Sequence, residues 1–175
     1  MCEIITGYTK PTCRSVGGLR RLVIYNLINR ATLTLSDNND EVTALTLNSG
    51  KYGYTIELEQ DLSSATENEV GSRETGTFFV EQALAVILND NRKETRNFVN
   101  AMGKSTALGV CGLDNQDVWR HYGVIGGLTL SEGTTGSGTA KGDRNGSELT
   151  LSGTETELAP EIAAALVDAI LEPES

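Results

Sequence analysis

Apolar and polar residues alternate with period two over most of the chain, as in strands that bury one face. From Leu19 to Asn29 the run is rich in β-branched and aromatic residues, too short and too apolar for an amphipathic helix. Leu33 and Leu35, then Leu45 and Leu47, alternate with threonines on either side of Asp37-Asn38-Asn39-Asp40, which predicts a hairpin. Tyr52, Tyr54, Ile56 and Leu58 predict a further strand. Residues 59–75 are polar and acidic and show no period, so they read as a long surface loop.

Residues 77–90 have two readings. Glu81 to Ala85 favour a helix by propensity, whereas a strand places Phe78, Val80, Gln82, Leu84, Val86 and Leu88 on one nearly apolar face. That face makes the strand the preferred reading. Residues 91–104 predict a helix capped by Asp90 or Asn91, with Phe98 and Met102 four apart and Gly103 at its end. Two strands flank a turn at Asp114-Asn115-Gln116, and two more flank the turn-rich stretch Lys141 to Gly146. Pro160 opens a predicted C-terminal helix, 160–171, with a stripe of Ile162, Leu166, Ala169 and Ile170. The sum is six to eight strands, one flanking helix and a C-terminal helix, in a single domain spanning 1–175.

Composition narrows the function. With 24 acidic and 14 basic residues the chain carries −10, which disfavours a grip on nucleic acid through phosphate neutralisation. The charge is uneven: residues 1–35 sum to +4, while 36–75 and 128–175 each sum to −7. Such asymmetry can orient one subunit on another. Cys2, Cys13 and Cys111 are odd in number and far apart, which points to reduced thiols rather than a disulfide framework. The first ten residues hold Glu3 and no apolar run resembling a secretory signal, so a cytosolic birthplace is expected.

Chemistry-bearing motifs are weak. Gly103-Lys104-Ser105-Thr106 resembles the end of a phosphate loop, but Phe98 stands where its first glycine belongs, and a helix end explains it better. The stretch Gly136 to Gly142 misses the dinucleotide spacing by one residue and reads as a turn. His121, the sole histidine, lacks a nucleophile or an acidic orienter and reads as a strand or interface residue. The clusters at 37–41 and 114–117 lack the distal glutamate of a calcium loop. No catalytic residue, metal site or cofactor is expected, and an enzyme is the weakest reading.

The order of segments resembles a known family. It runs from Cys13, Val16-Gly17-Gly18-Leu19 and Ile24-Tyr25-Asn26 through Phe79, Glu81-Gln82 and Leu84 ahead of the charged helix. It continues with Gly126-Gly127-Leu128, Thr135-Gly136 and Gly138, then Gly142-Asp143-Arg144-Asn145-Gly146. Leu149-Thr150-Leu151, Gly153, Glu155 and Ala159-Pro160 close the series. In that order these segments resemble the major tail-tube proteins of tailed bacteriophages, among them virion proteins from phages of gut and environmental Bacteroidetes.

The resemblance implies a curved antiparallel β-sandwich or barrel with a flanking helix, six copies to a ring, and rings stacked into a tube that conducts the genome. It implies partners of the same chain and other tail proteins (tape measure, terminator, baseplate), DNA only in transit, no membrane, and residence in the virion tail after assembly in the host cytoplasm. An acidic wall suits such a conduit, because it lets DNA slide. The acidic segment, through Asp61, Glu67, Glu69 and Glu74, is expected to meet Arg14, Arg20 and Arg21 of the next ring. Two other readings fit the same pattern. One is a tail-terminator, neck or baseplate protein of this fold, and the other is a β-sandwich capsid-decoration or binding module.

Overall fold

The computed structural model describes residues 7–12 and 15–172. Eleven strands are present among them. They are β1 (Leu19–Asn26), β2 (Arg30–Leu35), β3 (Glu41–Leu47), β4 (Tyr54–Glu57), β5 (Ser64–Ser72), β6 (Thr77–Leu88), β7 (Leu108–Asp114), β8 (Trp119–Tyr122), β9 (Thr129–Gly136), β10 (Gly146–Glu155) and β11 (Glu161–Ile162). Helix α1 (Lys93–Lys104) joins β6 to β7, and α2 (Ala164–Ala169) follows β11. The strands form a seven-stranded sheet, β2-β3-β11-β8-β7-β1-β4, and a four-stranded sheet, β5-β6-β10-β9. The fold is mainly β, a two-sheet sandwich with helices at its margins, and neither sheet closes into a barrel.

The first core lies between the sheets. Leu22, Ile24 and Val110 of the larger sheet meet Leu84, Val86, Leu149 and Leu151 of the smaller, and Met102 of α1 adds to the cluster. Phe98 and Val99 seat α1 against the same core, with Val99 beside Leu130 of β9 in a shallow surface pocket. A β-bulge in β1 explains its entry into this core. The register against β7 slips between Leu19 and Arg21, so Leu19 and Leu22, three apart, both face inward. Arg20 and Arg21 are left side by side on the outside.

The opposite face of the larger sheet is buried too. Val23, Tyr25, Cys111, Leu113 and Trp119 form a second core with Val42 and Leu45 of β3. Val167 of α2 and Ile170, just after it, cover it. The C-terminal segment therefore works as a strap. It enters as β11 beside Val42, crosses the face as α2, and ends where Gly53 N–H donates to Ile170 O at 2.7 Å.

Several expectations need correction. The strands number eleven rather than the expected six to eight, and two of them lack an apolar alternation. Residues 59–75 are not one loop: Ser64–Ser72 forms β5, paired along its whole length with β6. Its polarity misled because it is an edge strand, with only Ala65 packed against the core. The expected helix 160–171 shortens to α2, because Glu161–Ile162 fills the gap between β3 and β8 as a strand. Ile162 enters the second core from that strand rather than from a helical stripe. Arg92, not Asp90 or Asn91, takes the cap position of α1, although Asp90 anchors the helix start by accepting from Thr95 Oγ1 at 2.6 Å. The helix passes Gly103 and ends at Lys104.

The remaining strands follow the sequence reading. The hairpin β2–β3 turns through Asn39, whose φ of 58° is the left-handed conformation that asparagine tolerates. Residues 77–88 are a strand, with Val80, Gln82, Leu84 and Val86 buried as their alternation predicts.

Candidate assembly surface

The four-stranded sheet is where the fold leaves most unfinished. Its outer strands, β5 and β9, run in opposite directions, because each neighbouring pair is antiparallel. No strand among the described residues pairs with the far side of either. Nearly every residue of β9 is exposed, and β5 is exposed along most of its length. Long bare edges of this kind offer backbone donors and acceptors to another chain.

The chemistry of this sheet is one-sided. No residue of β5, β6, β9 or β10 is Lys, Arg or His, whereas the larger sheet carries Arg20, Arg21, Arg30, Arg120 and His121. Cross-strand pairing fixes which residues share the outward face. Ser64, Ala85, Thr150 and Glu132 form one row, and Thr66, Ala83, Ser152 and Thr129 form the next. Glu81 with Asn68 and Thr154, and Glu148 with Ile87 and Thr134, complete it. The result is a face of small and hydroxyl side chains studded with three carboxylates.

The β5–β6 hairpin runs past the body. Val80 is wholly buried, yet Phe78, next on the same face of β6, is 57% exposed. At the tip, Ser72 Oγ accepts from Thr75 N–H at 3.3 Å, and Gly76 turns the chain at φ 65°. The hairpin is tied back to the body through Glu67. Its carboxylate accepts from Gln82 Nε2 at 2.9 Å and from Ala159 N–H at 2.8 Å.

The residues expected to make contacts between rings are therefore distributed, not gathered. Glu69 and Glu74 are exposed at the hairpin tip, and Glu67 is half-buried and committed within the chain. Asp61, exposed at φ 61°, sits in the turn before β5, near the other end of the sandwich. At that end Leu19 N–H donates to Ser63 O at 3.1 Å, and Ile87 N–H to Ser63 Oγ at 3.2 Å. Arg20 and Arg21 project there. Arg20 pairs with Asp117, on the β7–β8 turn, while Arg21 makes no ion pair among the described residues. That turn is rigid, since Asp114 accepts from Gln116 N–H, Val118 N–H and Arg120. Burial works to raise the Asp114 carboxyl, but those hydrogen bonds prevail and hold it below the usual range. Arg14 lies outside the described residues, as do Cys2 and Cys13.

His121 occupies neither end. It is wholly buried on β8, with Nε2 at 2.7 Å from Tyr25 Oη and Nδ1 unpartnered. Burial, helped by the charge of Arg30, pushes its pKa down to about 3. Cys111 is buried beside it, its thiol pushed up by desolvation. Lys104 ends α1, and the neighbouring Ser105 Oγ donates to Asn26 Oδ1 at 2.7 Å, which ties the helix end to β1. Among the described residues no His, Cys, Asp or Glu cluster would hold a metal ion, and no helix is long and apolar enough to cross a membrane.

Sequence reasoning missed β5 and the role of Glu67. The signal available was the four-residue turn Arg73 to Gly76 ahead of the long strand 77–88, which calls for a partner strand on its other side. Comparison of the chain with protein-family models, with curated proteins and with solved structures gives no match in any of the three.

Proposed function

We propose that this chain is a virion structural protein whose copies close into rings of six, stacked as a phage tail tube that conducts the genome. The observation that carries the reading is the four-stranded sheet, which has two bare edges and no basic residue. A sheet with an even number of antiparallel strands can repeat around a rotation axis without breaking its alternation. The β9 edge of one copy meets the β5 edge of the next running in the opposite direction. Ring closure then removes both exposed edges of the smaller sheet.

The outward face of this sheet becomes the wall of the bore. Glu81 and Glu132 set a negative potential against passing phosphates, while Glu148 is paired with Arg144 of the β9–β10 turn, and the hydroxyls and alanines between them give DNA little to hold. The basic residues of the larger sheet stay on the outside or in the core. The ring number and the tail role come from the family resemblance, and the edge and face chemistry support them.

Negative-stain microscopy of the purified chain at high concentration tests the reading. Six-fold rings or tubes are expected. A strictly monomeric species at every concentration would overturn it.

A further inference from the structure

The β2–β3 hairpin is joined to the rest of its sheet only through the strap. In the order β2-β3-β11-β8 the far neighbour of β3 is the two-residue β11, and β11 meets β8 at one residue pair, Glu161 with Arg120. The strap is fastened by Glu161 N–H to Asp40 O at 2.8 Å, His121 N–H to Pro160 O at 2.9 Å and Gly53 N–H to Ile170 O at 2.7 Å. Arg120 lies 3.7 Å from Glu161 but is held more closely by Asp114, and Arg30 of β2 donates to Val124 O. The core between the two sheets contains no residue of β2, β3, β11 or α2. Strap and hairpin can therefore lift while that core stays packed.

His121 lies beneath that cover. It stands opposite Cys111 in the β7–β8 register, on the face that Ile162, Val167 and Ile170 close over. Its Nε2 is 2.7 Å from Tyr25 Oη, and its Nδ1 has no partner among the described residues. A neutral ring tolerates this, since Nδ1 can remain a bare lone pair. An imidazolium carries N–H on both nitrogens, and nothing there accepts the second. The groups around it are the Tyr25 phenol of β1, the Cys111 thiol of β7 and the Arg30 guanidinium of β2, whose charge opposes another cation. β3, β11 and α2 bring only apolar side chains to this core, while Glu161 and Asp168 are exposed. The ring can take a proton only with the cover off.

We infer that the strap and the β2–β3 hairpin form an acid-operated lid on the larger sheet, which proton uptake by His121 shifts toward the open form while the two-sheet core stays closed. The sign follows from linkage. Closed, His121 stays neutral down to about pH 3; open, it regains the ordinary 6.5. Each pH unit below 6.5 therefore favours opening about tenfold. The open form bares the edges of β3 and β8, which other chains can join. A single chain suffices for this device, so it stands or falls separately from the self-assembly reading.

Amide hydrogen exchange on the full chain tests it, with protection factors followed from about pH 7.5 to about pH 4.5, above the ordinary carboxylate range. Protection of the Gly53, His121 and Glu161 N–H groups should fall about 100-fold across that window. At every pH it should lie at least about tenfold below that of Leu84 and Leu151, which pair at the centre of the smaller sheet. In His121→Phe the protection of Gly53 and Glu161 should stay level. Exchange of the strap amides at the same level as Leu84 and Leu151 would mean that the strap opens only with the whole fold, and the inference would be lost. A fall of less than about threefold in the wild-type chain, or an equal fall in the variant, would overturn it as well.

Discussion

The Gln82 amide donates to the Glu67 carboxylate at 2.9 Å while its oxygen accepts the Gly123 N–H at 2.9 Å. Gln82 is buried in a row of apolar residues, so this pair of bonds is what makes a polar side chain tolerable there. It also joins β5 and β6 to the loop after β8, and through Glu67 to Ala159 at the entry of the strap.

Replacing Gln82 with Ala leaves the Gly123 N–H and the Glu67 carboxylate each short of a partner. The expected cost is about 2–3 kcal/mol of unfolding free energy, from groups stranded away from water. Urea unfolding measures it. A loss within about 0.5 kcal/mol would mean that the pair is ornamental.

His121 gives the protein a pH dependence whose sign is fixed by its burial. The folded pKa, pushed down to about 3, lies below the ordinary 6.5 of the unfolded chain, so the unfolded state takes the proton first. The stabilising effect is complete above pH 6.5 and is lost as pH falls toward 3. His121 is the sole histidine, so between about pH 6.5 and 4.5, above the ordinary carboxylate range, the slope belongs to it. Urea midpoints should fall there by the equivalent of about 1.4 kcal/mol per pH unit. His121→Phe should be less stable at neutral pH, because Tyr25 Oη loses its partner, but flat across that window. An equal slope in the variant would refute the assignment.

Gly109 allows the same tyrosine to lie where it does. It stands opposite Tyr25 in the β1–β7 register, and a Cβ there would clash with the Cζ and Oη end of the phenol. Gly109→Ala should cost about 1–3 kcal/mol by forcing the ring off its seat. In a Tyr25→Leu background the same substitution should cost at most about half as much. Undiminished cost in the double variant would place the strain in the backbone instead.

These particulars separate what the sequence could tell from what it could not. The hairpin β2–β3, the β7–β8 turn and the β9–β10 pair were legible because turn residues with side-chain oxygens punctuate alternating runs. The strand 77–88 was legible because its buried face is apolar but for Gln82. β5 and β11 were not, since an edge strand with one inward alanine and a two-residue strand carry no period to detect. Glu67 read as one more surface acid, because its partners, Gln82 and Ala159, are 15 and 92 positions away. The absence of basic residues from the smaller sheet was in the sequence throughout, but it became a surface only once β5, β6, β10 and β9 were known to be neighbours.

That surface sets the last prediction. If the outward face lines a bore, its carboxylates keep DNA moving, and reversing them should make the bore adhesive. Glu81 and Glu132 are exposed, lie on that face and make no ion pair among the described residues, so lysine at both should leave fold and assembly intact. Six copies then place twelve cations around each ring where there were twelve carboxylates. Wild-type assemblies should retain no DNA fragment in a sedimentation assay at any salt concentration. Assemblies of the Glu81→Lys, Glu132→Lys variant should retain it at low salt and release it steeply as salt rises, because every phosphate contact releases counterions. Lysine at the same count on the outer, seven-stranded side, for example at Glu41 and Glu57, which are exposed and make no ion pair among the described residues, should bind fragments without hindering their exchange. If the two variants behave alike, the four-stranded face is not the inner wall.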